Sequence, residues 1–242
     1  MRYPPRMDRR SALLALSAPL VLAVQTDADS QPPLTDHPPG RGGLLFLGLI
    51  GGRGVDATLL SRLPSSVRPA YTAALARRLR LRPLQTSPED DDKQMRMARL
   101  DLRAALIAMS SRSAAREATA YASEAVLWWE WEGIPEGPLV EARYAEGHLQ
   151  RQRLSPLRPF LSLFLMHRYR AAFECACEQL VQRSSDAMRQ RSLTRERDFA
   201  RHGYLTARAS AQVAEPLVAA MAEDIDLGTF VYIEGHPHPG GR

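Results

Sequence analysis

Residues 156–182 read PLRPFLSLFLMHRYRAAFECACEQLVQ and carry the strongest structural signal in the chain. The part from Phe160 to Met166 is apolar on every side except at Ser162, which is typical of a helix surrounded by neighbours. Farther along, apolar residues recur at the spacing of one helical face: Met166, Tyr169, Phe173, Cys177 and Leu180. The segment therefore predicts a central helix about 40 Å long at ~1.5 Å per residue.

Helical periods fill most of the chain on either side of this segment. Val67, Tyr71, Leu75 and Leu79 recur every fourth residue, and prolines after capping residues begin several other periodic stretches. The predicted helices lie near residues 67–79, 97–107, 118–131, 139–150, 156–182, 187–211 and 216–225. Strands do not alternate with these helices, which disfavours a Rossmann or barrel enzyme. The sequence predicts an all-α fold of about seven helices, either a single bundle or a short solenoid-like array of antiparallel helical hairpins.

One part of this helical region resembles a known family. Residues 142–149, the break at Ser155-Pro156 and residues 161–169 follow the helix–turn–helix rhythm of tetratricopeptide-like repeats. Two positions resemble the packing residues of those repeats: Leu165 and Tyr169. The resemblance covers residues 138–180 and implies helical hairpins that bind a peptide or protein through a concave face. The chain has no 34-residue period, so the resemblance leaves open whether the hairpins form a solenoid.

The N-terminus has the three-part layout of a secretory signal peptide. Four arginines among the first ten residues precede an uncharged, mostly apolar run from Ser11 to Val24, and small residues follow. Cleavage after Ala23 or Ala28 fits this layout. Residues 8–14 resemble a twin-arginine export signal, although Asp8 stands where that family prefers Ser or Thr. The leader predicts export to the periplasm or the exterior, by either route.

The remaining organisation follows from composition. We expect a signal peptide over residues 1–28, a linker rich in proline and glycine over 29–43, a helical domain over 44–228 and a flexible tail over 229–242. The short apolar run at 44–50 (LLFLGLI) is compatible with a strand or a buried helical turn, because periodicity does not separate the two at this length. No transmembrane span is expected once the leader is removed.

The charge distribution bears on the kind of partner. The chain has 242 residues, a formal net charge of +5 and an ordinary globular composition, which excludes a disordered or collagen-like protein. Its basic residues are all arginine except Lys93. Basic and acidic residues occupy separate blocks, with six arginines and no acid over 57–88 but seven acids and one arginine over 117–146. Neutralisation between packed helices explains these blocks better than a nucleic-acid surface does, so no nucleic-acid partner is expected.

Seven residues are candidates for contact with a protein or peptide partner. Arginine and tryptophan are the side chains most enriched at binding hot spots, and a polar group within an apolar helix favours a binding cluster. The candidates are Arg77, Arg78, Trp128, Trp131, His167, Arg170 and Glu174. Two alternatives remain open. One is a cell-envelope carbohydrate-binding or hydrolytic protein that uses Trp128, Trp131 and the acids beside them; the other is a nucleic-acid binder that uses the arginine-rich helices.

Known catalytic and metal-binding motifs are missing from the sequence. Cys175 and Cys177 point in different directions on one helix and lack the partner ligands of a zinc site. There is no G-x-S-x-G, H-E-x-x-H or Walker A pattern. The sequence therefore predicts no metal and no cofactor, and it leaves enzymatic activity open while favouring an interaction or scaffold module.

Overall fold

The computed structural model describes residues 41–52, 55–81, 91–127, 131, 133–181, 186–227 and 229–230. These residues belong to one compact unit, His37–Arg242. Their α-helices are α1 (Leu44–Gly51), α2 (Ala57–Ser61), α3 (Arg68–Arg80), α4 (Asp91–Met109), α5 (Ala115–Glu124), α6 (Glu136–Arg151), α7 (Arg158–Val181), α8 (Ala187–Gln212) and α9 (Pro216–Asp226). Two strands of two residues each, β1 (Arg41–Gly42) and β2 (Thr229–Phe230), form a parallel pair. The all-α prediction is confirmed.

The helix starts follow local chemistry that is visible in the sequence. Asp186 caps α8 by accepting hydrogen bonds from the backbone N–H groups of Met188 and Arg189, and Asp56 accepts one from Leu59 at the start of α2. Pro216 occupies the first turn of α9, where no backbone donor is needed. The apolar run at 44–50, left open above, forms the helix α1.

Helix α7 is the centre of the domain, as its composition predicts. Every residue from Phe160 to Ala172 is buried. Helices α6 and α8 pack against α7, and α8 makes the more extensive contact. Gln179 near the end of α7 accepts a hydrogen bond of 2.8 Å from Arg189 near the start of α8, so these two helices run antiparallel. Gly203 of α8 permits the close approach, because a Cβ there would lie 2.6 Å from the ring of Tyr169.

The predicted helix over 118–131 is wrong at residues 125–127 and at Trp131, whereas residues 128–130 lie outside the described residues. Helix α5 ends at Glu124, and Ala125 adopts an extended conformation with ψ of 130°. Trp131, beyond this end of the helix, lies in the core beside α6. Gly133 then takes a positive φ of 66°, which favours glycine. Tertiary burial of one tryptophan therefore overrides the local helical period.

The two ends of the helical region are joined through Asp224 of α9. Its carboxylate accepts a hydrogen bond of 2.9 Å from the backbone N–H of Leu45 and one of 3.1 Å from Arg62. Its backbone carbonyl accepts a bond from Gly43, next to the β1–β2 pair. These contacts begin in the predicted linker and extend into the first residues of the predicted tail. Among the described residues, none of the helices combines the length and apolar character that crossing a bilayer requires.

Candidate functional site

Arg78 of α3 lies inside the domain. Its side chain is completely buried, and its guanidinium donates to the carbonyl oxygens of Leu49 at 3.0 Å and Ile50 at 2.8 Å. It also donates to the carboxylate of Asp101 at 2.5 Å. The last carbonyls of a helix lack partners within that helix. Arg78 therefore caps the C-terminal end of α1 and connects it to α4.

Arg77, the neighbouring residue, has different surroundings. It is exposed, and its guanidinium donates two hydrogen bonds, at 3.0 and 2.8 Å, to the carbonyl of Ala108 near the end of α4. Consecutive residues on a helix point about 100° apart, since there are ~3.6 residues per turn. That rotation gives one arginine a buried role and leaves the other at the surface.

Trp131 belongs to a buried cluster with an acid and an arginine. Its Nε1 donates to Oε1 of Glu141 at 3.0 Å, while Nε of Arg168 donates to Oε2 of the same carboxylate at 2.7 Å. The Arg168 guanidinium lies 5.1 Å from the Trp131 ring centroid and 4.1 Å from that of Phe164. The Trp131 ring therefore lies in the core rather than on a sugar-binding face. Trp128 lies outside the described residues.

His167 lies next to this cluster and is completely buried. Its Nδ1 is 3.1 Å from the guanidinium of Arg168, and its ring packs against those of Phe46 and Trp131 at 5.4 and 6.3 Å between centroids. Burial lowers the pKa of His167 well below its ordinary value, and the positive charges of Arg168 and Arg170 lower it further. The imidazole is therefore neutral in the folded protein at neutral pH.

Replacement of His167 by glutamine is expected to flatten the pH dependence of stability. In the unfolded chain the imidazole titrates near its ordinary pKa of about 6.5, so the unfolded state binds more protons below that pH. His167 therefore contributes stability that is present above about pH 6.5 and is lost as the pH falls, at up to ~1.4 kcal/mol per pH unit. Urea unfolding between pH 8 and pH 5 measures the slope. His202→Gln, on the exposed face of α8, is the control; equal slopes for the two variants would contradict the expectation.

Arg170 and Glu174 form the ion pair that their spacing predicts, with 3.6 Å between Nε and Oε1. The Arg170 side chain is completely buried, and its guanidinium donates to the carbonyl oxygens of Ile225 and Leu227 at the end of α9. Burial raises the pKa of Glu174, and the charge of Arg170 partly offsets that effect. Arg170 thus joins α7 to the C-terminal end of α9.

The six of the seven sequence-predicted residues that the structure describes do not form one surface. The structure brings Trp131 and His167 together, but it buries both of them along with Arg78 and Arg170. Arg77 is exposed, and Glu174 is about one-third exposed. A partner that approaches from outside can therefore contact Arg77 and part of Glu174, but not the four buried residues.

A continuous exposed stripe runs along α8, and none of its residues is among the candidates predicted from the sequence. Its members follow the period of one helical face: Met188, Arg191, Arg195, Phe199 and His202. Met188 is 74% exposed, and Phe199, at 42%, has the guanidinium of Arg143 at 5.3 Å from its ring centroid. Within the described part of the chain, Arg191 and Arg195 have no ion-pair partner. We call these five residues the α8 stripe. Their spacing was visible in the sequence, but spacing alone does not distinguish a buried face from an exposed one.

The described residues contain no group of three or more His, Cys, Asp or Glu side chains arranged to hold a metal ion. Cys175 is buried, Cys177 is partly exposed, and neither forms a disulfide. The fold and the exposed stripe define an all-α helical protein with an uncovered face on its longest helix. No family model, curated protein or solved structure matches the chain.

Proposed function

We propose that the protein is an exported helical interaction module that docks an acidic segment of a protein partner along the α8 stripe. The observation that carries the proposal is the stripe itself, with two unpaired arginines between exposed apolar residues. Arginine and aromatic side chains are the usual anchors of protein interfaces, and a patch of one charge favours a partner of the opposite charge. The tetratricopeptide-like resemblance over residues 138–180 belongs to the same proposal.

Support for export comes from the leader. Loss of residues 1–23 removes four arginines and one aspartate, so the formal net charge falls from +5 to +2. More than half of the net positive charge is thus explained by a signal peptide instead of a polyanion-binding surface. N-terminal sequencing of the protein from cell-envelope and external fractions tests this part. A start at residue 24 or 29 is expected, and an intact N-terminus confined to the cytoplasm would contradict export.

Site-specific photo-crosslinking tests the docking surface. The full chain, with its own leader, carries a photo-reactive residue at position 202 of the stripe or at position 80 of α3, where Arg80 is also exposed. We expect a crosslink from position 202 to an acid-rich segment of one protein, and none from position 80. Arg191→Glu with Arg195→Glu is expected to weaken that crosslink at least about tenfold, because like charges would face each other.

Three results would contradict the docking surface. Equal crosslinking from positions 202 and 80 would show that the stripe has no special role. Crosslinking to nucleic acid would favour the nucleic-acid alternative, and a crosslink that survives both charge reversals would remove the arginines from the proposal. The reversals lie on the exposed face of α8, so we expect the fold to remain intact. Circular dichroism checks this expectation.

A further inference from the structure

One end of the helical domain combines exposed aliphatic residues with unpaired arginines. The turn between α6 and α7 and the turn between α8 and α9 meet there. Pro156 of the first turn and Pro159 at the start of α7 line the same cavity of about 390 Å³ as Glu215 of the second turn and Val218 at the start of α9. The start of α5 belongs to this end as well, because Ser155 donates a hydrogen bond of 2.5 Å to Glu117.

The two most exposed large aliphatic side chains of the described residues lie on these two turns. Leu154 is 98% exposed and Val213 is 86% exposed. A single exposed apolar residue is common on protein surfaces. Leu154 and Val213 are nearly uncovered and lie on adjacent turns at the same end of the domain. A single apolar phase can therefore contact both of them at once.

Arginines surround this pair. Arg151 ends α6, Arg153 directly precedes Leu154, and Arg116 lies on the neighbouring start of α5. All three are exposed and have no ion-pair partner within the described ranges. Glu117, which lies 2.8 Å from His148 and accepts a hydrogen bond from Ser155, makes with Glu215 two acids against these three arginines. The described exposed carboxylate at this end is that of Glu215. We call Arg116, Arg151, Arg153, Leu154 and Val213 the basic end.

The opposite end of the bundle, where α7 ends and α8 begins, exposes apolar residues as well. Val181 and Met188 are also well exposed there, at 79% and 74%. They lie beside Glu178 and Asp186, the ion pair between Glu136 and Arg189, and the exposed Arg191. Apolar exposure is thus similar at the two ends, whereas among the described residues acids are in excess at this end and arginines at the other.

We propose that the basic end docks the protein on an anionic lipid surface. Leu154 and Val213 enter the boundary between headgroups and acyl chains, while the three arginines contact lipid phosphates. Charge complementarity selects the basic end over the opposite one. In this orientation α8 rises from the surface, and Met188 stands roughly 38 Å along the helix from Val213, at ~1.5 Å per residue. The α8 stripe then remains accessible, so the two contacts are independent.

Vesicle co-sedimentation of the full chain tests the proposal. The probes are vesicles of phosphatidylglycerol and phosphatidylcholine in equal parts, with pure phosphatidylcholine vesicles for comparison. Each basic residue near an anionic surface contributes about fivefold to binding, so Arg151→Gln with Arg153→Gln is expected to lower the partition coefficient about 25-fold. Leu154→Ser with Val213→Ser is expected to lower it at least about tenfold. The leader is present in every variant, so differences between variants report on the basic end.

Val181→Ser with Met188→Ser is the matched control, because it removes two exposed aliphatic residues from the opposite end. It is expected to change partitioning less than about twofold. Equal losses for the two serine pairs would overturn the proposal, as would equal binding of the parent protein to both kinds of vesicle. An oligonucleotide whose binding depends on the arginines but not on Leu154 and Val213, with no preference for anionic vesicles, would also overturn it. Unfolding midpoints confirm that each variant is folded.

Discussion

Arg78→Met is expected to lower the free energy of unfolding by about 3–5 kcal/mol, because it removes a buried charge and leaves its partners without a donor. The carbonyls of Leu49 and Ile50 would lose the group that caps α1, and Asp101 would lose its ion pair. Methionine retains most of the apolar volume, so lost polar contacts rather than a cavity dominate the effect. Urea unfolding at neutral pH measures it.

Arg77→Met is the matched control for this substitution. It removes the same side-chain type one residue earlier in the same helix. Its two hydrogen bonds share one acceptor, the carbonyl of Ala108, and the side chain is exposed. We expect a loss of about 0.5–1.5 kcal/mol. Equal losses for the two variants would show that the burial of Arg78 does not determine its contribution.

Glu141→Leu has the second large expected effect, a loss of about 3–5 kcal/mol. The substitution removes the carboxylate that accepts hydrogen bonds from Trp131 and Arg168. The guanidinium of Arg168 would then remain in the core without its acid. Glu124→Leu, on the exposed face of α5, is the control and is expected to stay within about 0.5 kcal/mol of the parent protein.

A double substitution separates the charge effect from the loss of packing. Adding Arg168→Met to Glu141→Leu removes the uncompensated charge and keeps apolar contact with Trp131 and Phe164. We expect the double variant to be more stable than Glu141→Leu alone, since replacing a whole buried pair costs less than breaking it. A double variant that is less stable would indicate that Arg168 contributes mainly through its contacts with the two rings.

The helices were largely predictable because their signals are local. The apolar period over 156–182 and the capping residue Asp186 act within a few residues, and α7 and α8 begin and end close to the predicted positions. The exception at α5 has a tertiary cause. Val126 and Leu127 continue an apolar period, but the chain leaves the helix so that Trp131 reaches Glu141.

It was harder to predict which residues are exposed and which are buried, because burial depends on distant parts of the chain. Arg78 is buried because α1 and α4 pack over it, and His167 is buried because Phe46 and Trp131 cover it. None of these covering elements and residues is close in sequence to the side chain that it buries. The α8 stripe has the same spacing as a buried face, and only the packing of α7 on the other side shows which face stays exposed.

The sequence by itself determined the helical class of this protein and the position of its central helix, because helical period, capping and apolar runs are properties of neighbouring residues. Only the tertiary structure decided which arginines are structural and which are exposed. Adjacent residues on a helix face different directions, and contacts from elements far along the chain determine which direction is buried. Arg77 and Arg78, identical in type and consecutive in sequence, differ for that reason alone.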